Sequence, residues 1–180
     1  AARVAHCKKE FNKAAGLYED FILASRRLRH KTTGSQALES AYRLTEIYRW
    51  IDRRRDLAEA YAKMVAIWDE AKITEADFDA DLVDFKLRRI NDLLWSARYA
   101  ALVGEFDRAQ QHAERAIKLV KKLEPPARSI NSRQLKTLRE YQVEGRHILA
   151  FRVAIERGQL TSALAQVELA MTIEGLDQSW

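Results

Sequence analysis

One arrangement of residues recurs four times along the chain and constrains its fold more than any other feature. Ala14, Ala60, Ala109 and Ala163 stand in like surroundings. Three residues before them come Phe11, Leu57, Phe106 and Leu160, and four before come Glu10, Asp56, Glu105 and Gln159. Seven after come Phe21, Ile67, Ala116 and Ala170, and eight after come Ile22, Trp68, Ile117 and Met171. On the N-terminal side, Ala5, Ile51, Ala100 and Ala154 lie nine before, and Ala2, Tyr48, Ala97 and Phe151 twelve before. Spacings of three, four and seven place residues on one face of an α-helix. The repeating unit is therefore a pair of helices joined by a turn. A lone helical hairpin cannot bury its apolar face, so repeated hairpins are expected to stack.

The remaining residues agree. The chain holds only 6 Gly and 2 Pro in 180 residues, too few for a turn-rich β fold. Strand-like alternation is absent, and good helix formers dominate. The punctuation predicts seven helices, at about 9–30, 35–54, 56–72, 75–103, 105–123, 132–157 and 159–174. Ser35 after Thr32-Thr33-Gly34 reads as an N-cap, and Thr74-Glu75-Ala76-Asp77 as a capping box. Pro125-Pro126 ends a helix, Asn131 or Ser132 starts the next, and Gly104 and Gly158 read as tight turns.

The run Gly104-Glu105-Phe106-Asp107-Arg108-Ala109, followed by Ala113, Ala116 and Ile117, resembles the turn and second helix of a tetratricopeptide repeat. The resemblance covers essentially the whole chain. It implies one all-α domain over residues 1–180, built of antiparallel hairpins stacked as a right-handed superhelix, or α-solenoid, of about three and a half hairpins. The reference alanines lie 46, 49 and 54 residues apart, against a family norm of about 34. The helices are thus expected to be longer than the family's. The first-helix Trp of the family motif is replaced by Leu44, Leu93 and His147, with Trp95 two residues further on. Residues 1–8 align with the end of a first helix. Such a half-hairpin implies a piece cut from a longer protein, or pairing with a second copy there.

Eleven residues before the reference alanines stand Arg3, Arg49, Arg98 and Arg152. In the resembled family, this position lies on the first helix of each hairpin and faces the concave groove. The resemblance therefore implies an arginine ladder, and arginine forks bind carboxylates bidentately and stack on aromatic rings. The same register adds Tyr42, Glu46, Asp52, Arg53, Asn91 and Trp95 to the groove. The expected partner is a protein or peptide, acidic or presenting a C-terminal carboxylate. The competing expectation is that the arginines pair with acids of their own or a neighbouring hairpin.

Other constellations carry less. Net charge is +5, a mild excess that admits nucleic acid or an anionic surface as partner. The clusters Arg26-Arg27-Leu28-Arg29-His30-Lys31, Arg53-Arg54-Arg55, and Lys118 with Lys121 and Lys122 all fall at predicted helix C-termini, where the helix dipole favours cations. No nucleic-acid recognition motif accompanies them, so that reading ranks low. Four His at unhelpful spacings argue against a metal site. Cys7, the single cysteine, cannot face its neighbour His6 on a helix. No phosphate loop, nucleophile elbow or other catalytic motif is present, so neither catalysis nor a cofactor is expected. No apolar run is long enough to span a membrane. The composition does not fix a compartment, with the cytoplasm as the weak default. The favoured function is a non-enzymatic scaffold or adaptor holding a peptide or protein segment. The alternatives are self-assembly within a larger complex, and nucleic-acid or anionic-surface binding through the basic clusters.

Overall fold

A computed structural model describes residues 1–28, 31–71, 73, 82–123, 130–159 and 161. Every regular element among them is a helix. The chain divides into two compact units, Ala1–Ala80 and Asp81–Trp180.

The first unit holds α1 (Ala2–Cys7), α2 (Phe11–Leu28), α3 (Lys31–Trp50) and α4 (Arg54–Glu70). Each helix packs on the next. Small side chains permit close approach in the first hairpin, where Ala5, Ala14 and Ala15 are buried. Larger ones fill the second, where Leu38, Leu44, Ile47 and Met64 are fully buried. Each of these contributes about 1.5–3 kcal/mol relative to exposure. Helices two apart in the chain also touch through single side chains. Glu19 on α2 accepts a hydrogen bond from Lys63 on α4 at 2.8 Å, and the His6 ring of α1 meets Trp50 of α3.

The second unit holds α5 (Leu82–Leu102), α6 (Phe106–Leu123) and α7 (Ser132–Glu156). Helix α7 packs on both α5 and α6. Its N-terminus is a reciprocal capping box. The Asn131 side chain accepts from the Gln134 backbone N–H at 2.9 Å, and the Gln134 side chain accepts from that of Asn131 at 3.1 Å. Gln134 then donates to Asp84 on α5 at 2.8 Å, tying the two helix starts together. Gly145 is the close-approach point of α7. A Cβ there would lie 2.9 Å from Ile117 on α6.

Four turns share one geometry. At Lys9, Asp52, Gly104 and Gly158 the backbone φ is positive, at 59°, 50°, 85° and 68°. The N–H of each reaches back three residues, and the next N–H reaches back five, as in Glu10 to Ala5, Arg53 to Tyr48, Glu105 to Ala100 and Gln159 to Ala154. This is the Schellman ending, which satisfies the last carbonyls of a helix. Gly104 and Gly158 were expected as turns, whereas Lys9 and Asp52 occupy the same conformation without glycine's freedom.

Three expectations are corrected. Ser35 is not an N-cap, because α3 begins at Lys31 and runs through Gly34. A Cβ on Gly34 would lie 2.7 Å from that of Ala71, so this glycine serves helix contact, not a break. Helix α3 ends at Trp50, not near residue 54. The cluster Arg53-Arg54-Arg55 therefore opens α4 at its N-terminus, where the dipole opposes it. Ion pairs of Arg53 with Asp56 and of Arg54 with Asp52 offset that cost. Third, the turns align Leu57, not Ala60, with Ala14 and Ala109, since each donates to the carbonyl four residues back, at Arg53, Glu10 and Glu105 respectively. The slip of three residues is about 300° of helical rotation, so the apolar face nearly repeats and hides it. The predicted capping box at residues 74–77, the cluster 26–31 apart from some backbone, and most of the helix at 159–174 lie outside the described residues.

Candidate functional site

The corrected register changes the arginine column. Arg3, Arg98 and Arg152 stand seven residues before Glu10, Glu105 and Gln159 of their turns, but the residue seven before Arg53 is Glu46. Arg49 stands four before, one helical turn nearer the end of α3. Its counterpart in the first hairpin is His6.

In the first unit, Arg3 is exposed and forms no ion pair among the described residues. Arg49, also exposed, donates to the Tyr61 hydroxyl on α4 at 2.8 Å. Tyr42 is half-buried on α3, and its carbonyl accepts from the Thr45 hydroxyl. Glu46 accepts from Arg43 at 2.9 Å, and Arg43 also bonds Glu39. Arg53 lies over the Tyr48 ring at 5.6 Å while pairing with Asp56. Asp52 is the left-handed turn residue and pairs with Arg54. Burial pushes the Tyr48 hydroxyl up to about 12, with Glu19 adding to the rise.

In the second unit, Asn91, Trp95 and Arg98 share one face of α5 and are all half-buried. The Arg98 guanidinium lies 4.4 Å from the Trp95 ring centre, and Trp95 stacks on Tyr99 at 5.9 Å. Arg98 also forms an ion pair with Glu144 on α7. Burial raises the Glu144 carboxyl above its ordinary range, and Arg98 pulls it partly back. Arg152 lies on α7, but its side chain is outside the described residues. Behind this face sits a buried polar core. Asp92 and Ser96 are fully enclosed, and the Ser96 hydroxyl bonds the His112 ring at 2.9 Å.

Two features were not anticipated. Glu144 escaped notice because its partner lies on another helix, 46 residues away. The other is an aromatic cluster at the turn end of the first unit. His6 meets Phe11, Tyr18 and Trp50 edge-on at 6.1, 6.3 and 5.7 Å, and Phe11 meets Trp50 at 5.4 Å. Trp50 is 64% exposed.

Among the described residues, no three His, Cys, Asp or Glu gather as a metal site, and no helix is long and apolar enough to cross a membrane. Comparison with protein-family models, with curated proteins and with solved structures finds no match for this chain.

Proposed function

We propose that this protein is a non-enzymatic scaffold of the tetratricopeptide type, each unit holding a peptide or protein segment on the faces of its own first helices, α1 and α3 in the first unit and α5 and α7 in the second. Each unit is then a stretch of right-handed superhelix. The packing of α7 on α5 and the side-chain contacts of α1 with α3 and of α2 with α4 support that stacking, as do the four like turns. The observation that carries the functional reading is the α5 face. Asn91, Trp95 and Arg98 present an amide, an indole and a guanidinium in one half-exposed row. Such a row suits a carboxylate-bearing extended segment, since stacking on Trp95 and pairing with Glu144 hold Arg98 in place before a ligand arrives.

The test is selection of a random peptide library against the full chain. Selected peptides are then titrated against Arg98→Gln, Trp95→Ala and Arg49→Glu variants whose helicity and unfolding midpoint are checked. Saturable binding weakened tenfold or more by the α5 substitutions, a loss of about 1.4 kcal/mol, supports the reading. Selected peptides that bind all variants equally would sink it.

A further inference from the structure

Two neighbouring turns of the first unit carry most of the chain's net charge around one open ring. The turn at Lys9 and the turn at Asp52 are joined through aromatic side chains, because His6 and Phe11 both meet Trp50. Trp50 itself is exposed. Lys8, Lys9 and Lys13 flank the first turn, and Arg49, Arg53, Arg54 and Arg55 the second, all of them exposed. Against these cations stand Glu10, Asp52 and Asp56, which leaves an excess of four positive charges. The whole chain carries +5, so its other residues nearly balance.

Helix electrostatics do not account for this gathering. Arg53, Arg54 and Arg55 stand at the N-terminal end of α4, where the dipole repels cations. Their ion pairs answer it only in part. Arg53 pairs with Asp56 and Arg54 with Asp52, but Arg55, Lys8 and Lys9 form no ion pair among the described residues. Lys9 also occupies the turn position that Gly104 and Gly158 hold in the second unit. Its backbone there is left-handed, which a lysine adopts only under strain. A cation is thus kept at the tip of the turn at a cost to the fold. Costs of this kind point to a surface with a second task.

The arrangement indicates which partner. The arginines beside Trp50 already spend part of their donor sets, Arg49 on the Tyr61 hydroxyl, Arg53 on Asp56 and Arg54 on Asp52. They lend charge more than an open fork. Recognition of one carboxylate on an acidic peptide needs the fork, whereas a diffuse negative field needs only the cations. A nucleic-acid strand is held by successive rings along a groove, and in these two turns Trp50 is the one exposed ring. An anionic bilayer suits both parts. An indole settles at headgroup level, and lysines and arginines around it reach acidic headgroups on flexible stems. We propose that the turns at Lys9 and Asp52 make a peripheral contact with an anionic lipid surface. Trp50 enters the headgroup layer, and Lys8, Lys9 and Arg55 meet the acidic headgroups. This goes beyond the scaffold reading and does not depend on the α5 face.

The probes are vesicles of phosphatidylcholine with and without about 30% phosphatidylserine, mixed with the full chain and separated by flotation. Binding is expected to the acidic vesicles alone, with a blue shift of tryptophan emission, and should weaken as salt rises to about 0.5 M. Lys9→Gly relieves the turn backbone, so it should unfold no earlier than the parent chain, yet bind about fivefold more weakly. Adding Lys8→Gln and Arg55→Gln should bring the loss to about a hundredfold. Trp50→Phe should bind more weakly and lose the emission shift. Lys118→Gln, Lys121→Gln and Lys122→Gln together remove three cations from the end of α6 and should change binding by less than about twofold. A loss from that triple equal to the loss from the turn variants overturns the site, since net charge alone then governs. So does an emission shift that survives Trp50→Phe, equal binding to both kinds of vesicle, or binding to neither. A blocked peptide of alternating leucine and aspartate and a thymidine dodecamer are titrated alongside. If either binds, is weakened by Lys9→Gly, and the vesicles do not bind, the lipid assignment falls and the turns belong to a protein or a nucleic acid.

Discussion

The Arg49 guanidinium donates to the Tyr61 hydroxyl at 2.8 Å, joining the last turn of α3 to the first half of α4. Tyr61→Phe removes that acceptor. The exposed Arg49 can turn to water, so the loss should be about 1 kcal/mol by urea unfolding. Tyr18→Phe, at the matching position, removes no bond and should be neutral or stabilising by up to about 1 kcal/mol. Equal losses at the two positions would contradict the difference in their partners.

Gly34 faces Ala71 so closely that a methyl at position 34 would lie 2.7 Å from the Ala71 methyl. Gly34→Ala gains helix propensity of about 1 kcal/mol but incurs overpacking of about 1–3 kcal/mol. The expected net is a loss of about 1 kcal/mol. Adding Ala71→Gly should recover most of the steric part. A double-mutant cycle in urea checks this, and additive effects would refute the contact.

Lys9 and Asp52 hold left-handed backbone at φ 59° and 50°. That conformation costs a non-glycine residue about 1–2 kcal/mol, while glycine loosens the unfolded chain by about 0.4–1 kcal/mol. Lys9→Gly should therefore stabilise by about 0.5 kcal/mol, and Gly104→Ala should destabilise by a similar amount. Thermal unfolding of both variants decides the sign.

The carboxyl of Glu144 is raised by burial, with Arg98 acting against the rise. A raised acid keeps its proton in the folded state to higher pH than in the unfolded chain. The stability this gives is full below the unfolded pKa and is lost as pH rises through the folded one. Between pH 4 and 7 the stability of Glu144→Gln should thus rise relative to the parent chain. Urea titrations across that range measure the difference, and a trend in the parent's favour would refute it.

Helix type was legible because apolar spacing and scarce glycine leave the backbone little choice. Asn131 as a helix start was legible too, since its capping chemistry is local. What depends on contact between helices was not. Gly34 reads as a break until Ala71 is seen beside it. Arg49 reads as one of four like arginines because a three-residue slip nearly preserves a helical face, and only the turn at Asp52 exposes it. The Tyr18 hydroxyl carries no sequence signal of its own, and its interest lies in a bond that Tyr61 makes and it does not.

The contact between Gly34 and Ala71 also bears on the order in which the second hairpin assembles. Its helices are joined at Ile51–Arg53, so the pairs nearest that turn close first, with the smallest loop entropy. Gly34 and Ala71 sit at the far ends of α3 and α4 and meet last. Contacts formed after the folding barrier set the rate of unfolding and leave that of folding almost untouched. This glycine therefore governs how long the hairpin stays closed, while the turn governs how soon it forms.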